Sequence, residues 1–203
     1  MGSIIMHLII ANRMAESLSL QDKTSFLLGG IAPDAVSPKE ISHFYMGDVS
    51  DYSRSIDFEQ FLHKYDVHKH SHYILGYYSH LVADDLWLKG FYLPWLKNRM
   101  DNDPMIFELY HQDFRLLNGK LLTHYGLTAE LMDALQQGGA MMDLEEVTAK
   151  DVQELIPYVI EDMNFDPKHL EQLLTVFTFE QIVGYIETSV DKGIKQIRSF
   201  IGH

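Results

Sequence analysis

The 203-residue chain contains no cysteine. That absence removes disulfides, thiolate metal ligands and cysteine nucleophiles together. Any metal site must then be built from His, Asp or Glu, a donor set that suits zinc, iron, manganese or nickel better than copper(I) or an iron–sulfur cluster. The chain also lacks an apolar run of the roughly 18 residues that crossing a bilayer requires. Its start, Met1-Gly-Ser-Ile-Ile-Met-His7, has no basic region of a signal peptide, and position 6 is Met where a myristoylation signal carries Ser or Thr. These absences predict a cytoplasmic protein with no transmembrane segment. Basic residues are scarce, with 16 Lys and Arg against 29 Asp and Glu, for a formal net charge of −13. Affinity for nucleic acid rests largely on Lys and Arg contacts to phosphate, so nucleic acid is disfavoured as a partner. A small phosphorylated substrate stays open, because bound dications reverse the sign locally. No stretch alternates apolar and polar residues for long enough to predict a strand.

What is present is helical periodicity. Ser3 caps a first helix to about Leu18, and Asp22 caps a second from Lys23 to about Gly30. Residues 35–56 read as a long loop. A short helix follows from Asp57 to Tyr65, then a long one from Asp66 to about Lys89 and a short one over 91–99 that Pro94 starts or interrupts. Asp103-Pro104 opens a helix that Gly126 stops. Further helices are predicted over 128–137, from Thr148 or Asp151 to Met163 with Pro157 inside it, briefly after Asp166-Pro167, and over 178–201. The expectation is one all-α domain spanning 1–203. A chain this long buries roughly 70% of its unfolded surface, so its core needs no covalent staple.

Eleven histidines are present. His63, His68, His70, His72, His124, His169 and His203 read as solvated surface. Of the closely spaced His68, His70 and His72, only His68 and His72 share a helix face. His7 differs, because its helix is apolar on most faces and a buried imidazole needs a partner. Asp34 follows Pro33 at the end of a helix, where the residue before proline is biased out of helical geometry. His43 stands in the loop with no periodic pattern around it. His80 and Asp84 lie one helical turn apart, so they can grip one metal ion or simply hydrogen-bond each other. Gly76, one turn before His80, costs about 1 kcal/mol against Ala and leaves room for another backbone or for a ligand. Asp85 and Tyr77 or Tyr78 could support such a site or shape its pocket, but read more simply as helix surface or core packing, and Trp87 and Trp95 read as core.

Taken in order, His7-Leu-Ile-Ile-Ala, Leu27-Leu-Gly-Gly-Ile-Ala-Pro-Asp34-Ala, Ser42-His43-Phe and Gly76-Tyr-Tyr-Ser-His80-Leu-Val-Ala-Asp84-Asp resemble the zinc-dependent phospholipase C family over residues 4–90. The wider structural group of that family includes single-strand-specific nucleases. The resemblance implies an all-helical fold of that type. It implies Asp34, His43, His80 and Asp84 around one metal, and His7 with a bridging Asp84 on a neighbouring one. It makes Asp34 the catalytic carboxylate that activates water. One or two zinc ions are the expected cofactor, with iron, manganese and nickel as alternatives. Members of the family use a freed amino terminus and a later His-x-x-x-Glu for further ligands. No His-x-x-x-Glu follows Asp84 here, and His111 and Asp113 are the residues on hand to fill that part. The expected function is metal-dependent hydrolysis of a phosphodiester or phosphomonoester. The alternative is a non-catalytic helical binding protein that keeps a degenerate metal site. A third class, the helical phosphohydrolases that need an adjacent His-Asp pair, is disfavoured because no His here is followed by Asp.

Overall fold

The helix starts follow from their caps. Ser3 accepts from the Met6 N–H to open α1 (Ile4–Ser17), and Asp22 accepts from the Ser25 N–H to open α2 (Lys23–Ile31). Asp57 does the same for α3 (Phe58–Lys64) through the Gln60 N–H. The computed structural model describes residues 2–202, so the readings of Met1 and His203 lie outside the described residues. The remaining α-helices are α4 (His72–Trp87), α5 (Lys97–Asn102), α6 (Met105–Tyr125), α7 (Thr128–Gln137), α8 (Ala149–Met163) and α9 (Phe179–Gly202). Gly126 ends α6 in the left-handed region at φ 67°, where the absence of a Cβ removes the steric cost. Thr148 and Asp151 form a reciprocal capping box at the start of α8, which decides between the two predicted starts. The fold is all-α, as the periodicity predicts.

Helices α1, α2, α4 and α9 carry the centre of the core, with α2 and α4 packed most extensively. Two glycines set that packing. A Cβ on Gly29 would lie 2.0 Å from the Tyr73 carbonyl oxygen, and one on Gly76 would lie 2.0 Å from that of Phe26. The room beside Gly76 is therefore filled by the backbone of α2.

Three local expectations are corrected. The long helix begins at His72, not Asp66: residues Asp66–His68 form a 3₁₀ turn, and Ser71 is extended at φ −71°, ψ 123°. His68 and His72 thus share no helix face, and His72 Nδ1 accepts from the Asp22 N–H at 3.3 Å. The second correction concerns 88–99, where the chain does not stop and restart but widens into a π-helix over Leu88–Leu96 that runs on into α5. Pro94 has no N–H for an α-helical ladder, and the Lys97 N–H bonds the Tyr92 carbonyl at the wider spacing. Finally, the loop contains a small antiparallel ladder, β1 (Tyr45–Met46) with β2 (Ser55–Ile56), pairing Tyr45 with Ile56 and Met46 with Ser55. Strands of two residues are too short to show alternation. Gly47 at φ 69° turns the chain, and a Cβ there would meet the Ser53 carbonyl oxygen at 2.4 Å.

Candidate metal centre

Five side chains from four separate segments meet behind the α1–α4 packing. α1 brings His7, and α4 brings His80 and Asp84. The 3₁₀ turn Ala32–Ala35 that ends α2 brings Asp34, and the loop brings His43. His7, His43, His80 and Asp84 are buried. The Asp34 side chain is 4% exposed.

The histidine tautomers follow from backbone carbonyls, which can only accept. His80 Nδ1 lies 2.8 Å from the Gly30 carbonyl, and His43 Nδ1 lies 3.1 Å from that of Lys39. Both Nδ1 atoms therefore carry the proton, leaving both Nε2 atoms as lone-pair donors. Those two Nε2 atoms face each other at 3.2 Å. Asp84 Oδ2 is 3.3 Å from the first of them, on His43, and 3.7 Å from the second, on His80. Three acceptors converging in a buried place repel one another. A cation must sit among them, either a proton on one imidazole or a metal ion.

His7 widens the set. Its ring stacks on His80 with centroids 3.7 Å apart, and its Nε2 lies 3.3 Å from Asp84 Oδ1. That contact is not a hydrogen bond, and neither ring nitrogen of His7 has a hydrogen-bond partner among the described residues although both are buried. Such an orphan costs free energy unless something else binds it. The two Asp84 oxygens thus address different histidines, the arrangement a bridging carboxylate needs. Donor atoms of His7, Asp34 and His80 lie within 4.8 Å of one another, and so do those of His43, His80 and Asp84. His7 therefore sits with Asp34 and His80 as well as with Asp84, a closer grouping than the resemblance implies. His80 has one free nitrogen and can serve only one ion.

The electrostatics match. Burial opposes ionising Asp34, but its contact with His43 and the charges of His80 and Lys39 outweigh it and hold the carboxyl well below the usual range. Asp84 is likewise lowered, burial being outweighed by its contacts with His7 and His80. His80 is raised, the nearby carboxylates overcoming burial. His7 is pushed down to about 4, by burial first and then by the charge of His80.

This gives a pH expectation for metal-stripped protein. His7, neutral when folded and near 6.5 unfolded, contributes stability that is complete above pH 6.5 and is lost as the pH falls toward 4. His80, being raised, loses no stability below 6.5, and the lowered carboxylates act only near and below 4. Thermal unfolding of chelated protein should therefore show roughly 3 kcal/mol lost between pH 7 and 4. In His7→Leu protein the same scan should lose much less, the rest coming from groups such as His111, whose pKa burial also lowers.

A cavity of about 1120 Å³ opens beside the centre. Asp34 and Tyr45 form its wall on the metal side. Sequence reasoning missed several residues around it. Tyr45 donates to Asp84 Oδ2 at 3.3 Å, and its ring stacks on His43 at 5.3 Å. Lys39 ion-pairs with Asp34. Arg54 lies over the Tyr45 ring at 5.0 Å, and its buried Nε has no hydrogen-bond partner among the described residues. The one available signal was that Arg54 is the sole Lys or Arg between positions 40 and 63.

The residues put forward to complete the site part company. His111 borders the cavity, with its ring 4.5 Å from that of Phe107. Asp113 does not belong to the centre: it is buried and accepts from the N–H groups of Thr175, Val176 and Phe177 at 2.7–3.1 Å. Its charge is spent on capping the turn before α9. Asp85 binds Lys89 and Lys192 at 2.6 and 3.4 Å, and Tyr77 donates to the Ser42 carbonyl, which holds the loop at His43. His63, His68, His70 and His124 are exposed.

Among known proteins, no family model, no curated protein and no solved structure matches this chain. Fold and site therefore define it as an all-α protein with a buried His/Asp cluster at a cavity wall. Among the described residues, no helix is long and apolar enough to cross a membrane.

Proposed function

We propose that the chain is a metal-dependent hydrolase of small phosphoesters, of the zinc-dependent phospholipase C type that its motifs resemble. The observation that carries the reading is the convergence of His43 Nε2, His80 Nε2 and Asp84 Oδ2, in which the Nδ1 bonds of both histidines leave two imidazole lone pairs facing a carboxylate oxygen. His43, His80 and Asp84 would hold one ion, and His7 with the second Asp84 oxygen would hold another, with zinc the first choice for this donor set. Bound dications supply Lewis acidity toward a phosphoryl oxygen and acidify water.

The other roles belong to the protein. Asp34 is the member of the set that borders the cavity. It is ionised at neutral pH and too weakly basic to keep a proton, so it orients the attacking water. Lys39 and Arg54 meet the phosphoryl oxygens and balance their charge. Tyr45 keeps Asp84 in place.

A second reading, a helical binding protein without turnover, is favoured by the Lys39–Asp34 ion pair, which ties up the water-orienting carboxylate. Elemental analysis of purified protein, together with hydrolysis of p-nitrophenyl phosphate and bis(p-nitrophenyl) phosphate, separates the two. The hydrolase binds zinc or a related ion and loses all turnover to a chelator. Fewer than ~0.2 equivalents of any transition metal would sink both metal readings, since structural and catalytic sites alike hold their ions tightly.

A further inference from the structure

One face of α6 lines the cavity opposite in sequence to the metal-binding segments: Phe107, Tyr110, His111, Phe114, Arg115 and Asn118 recur at helical spacing. The apolar members make room for an organic group, and the polar end of the stripe is built differently. Asn118 is 5% exposed, yet it borders the cavity. Its Oδ1 accepts from the Ser3 hydroxyl at 3.0 Å. That assignment turns its NH₂ group into a donor, and the NH₂ has no acceptor among the described residues. Arg115, one turn earlier, forms no ion pair with a carboxylate among the described residues. Glu40 and Asp162 also border the cavity, and neither forms an ion pair with Arg115. In a chain of net charge −13, an unpaired guanidinium beside a nearly buried amide donor is a place for an anion.

We propose that the substrate of this cavity is a phosphoester whose organic part carries a second anionic group, a carboxylate or a second phosphate, bound by Arg115 and Asn118 on α6. Lys39 and Arg54 are attached near Asp34 and Tyr45, so they face the phosphoryl end. The two cationic stations lie on different segments of one cavity wall, and the aromatic stripe of α6 carries the body between them. This inference rests on the hydrolase reading for the identity of the phosphoryl end, but the anion station stands on its own residues.

The test compares phenyl phosphate with 4-carboxyphenyl phosphate as substrates. In parallel, it compares benzylphosphonate with 4-carboxybenzylphosphonate as ligands by calorimetry, on protein as purified. The carboxylated member of each pair should be preferred roughly tenfold or more, the worth of one charge-assisted hydrogen-bonded pair. Arg115→Gln, an exposed substitution that leaves the core untouched, should bring that preference close to one, and Arg115→Lys should restore part of it. If neither ester is hydrolysed while the carboxylated phosphonate still binds better in an Arg115-dependent way, the hydrolase reading fails and the anion station holds. Equal binding of the two phosphonates, or a preference that survives Arg115→Gln, overturns the proposal.

Discussion

Asp84→Asn protein should retain its helical circular dichroism yet bind metal at least ~100-fold more weakly than the wild type, losing both ions in dialysis. The amide keeps the shape of the carboxylate but not its charge, and it offers one acceptor oxygen where two are needed. Asp84 Oδ1 faces His7 at 3.3 Å and Oδ2 faces His43 at 3.3 Å, so one substitution reaches both halves of the centre. Loss of a direct anionic ligand should exceed the ~10–100-fold cost of losing an outer hydrogen-bond partner. His7→Ala removes a donor from one half only and should leave about half of the wild-type metal content. Elemental analysis of the three proteins after identical dialysis decides the matter. Wild-type metal content in Asp84→Asn would sink the bridging assignment, and total loss in His7→Ala would show a single ion held by all five side chains. Asp34→Asn, at the cavity wall, should retain metal while losing turnover.

The capping residues Ser3, Asp22 and Thr148 and the stop at Gly126 act within three or four residues of themselves, so those boundaries can be read from the chain. Ser71 gives no such local sign, because its side chain makes no capping bond and its extended backbone alone marks the true start of α4. The β1–β2 ladder is invisible for a different reason, since two residues per strand carry no period. The five donors stand out through residue type and order, and one of them, His7, also sits on a helix whose burial the apolar pattern predicts. Asp113 misleads because only its residue type and its place after Asp84 recommend it, whereas its partners are backbone N–H groups more than sixty residues downstream. Lys39, Tyr45, Arg54 and Asn118 gain their roles only when the loop and α6 close around one cavity. No pattern within their own segments records that closure.

Gly76→Ala should be among the most damaging single-methyl changes in the chain. Helix propensity alone argues the other way, because Ala is favoured over Gly by about 1 kcal/mol in a helix interior. Space decides the sign. The added Cβ would lie 2.0 Å from the Phe26 carbonyl oxygen and 3.0 Å from the Gly30 N, both main-chain atoms that cannot swing aside. Helices α2 and α4 must therefore separate, with a loss of at least ~3 kcal/mol and a fall in Tm of roughly 6–12 °C for a chain of this size. Gly29→Ala meets the reciprocal obstacle at the Tyr73 carbonyl, so the double variant should lose less than the sum of the two, the first separation having made room for the second methyl. Gly184→Ala supplies the control: it lies on α9 with nothing within 4 Å of its added Cβ, and it should stabilise by about 0.5–1 kcal/mol. The same separation moves the Gly30 carbonyl away from His80 Nδ1, which it holds at 2.8 Å. Released from that bond, His80 no longer presents Nε2 in a fixed direction, so Gly76→Ala should weaken metal binding even at temperatures where the protein stays folded. A Gly76→Ala protein with wild-type Tm and metal affinity would show that the close backbone contact does not hold the centre together.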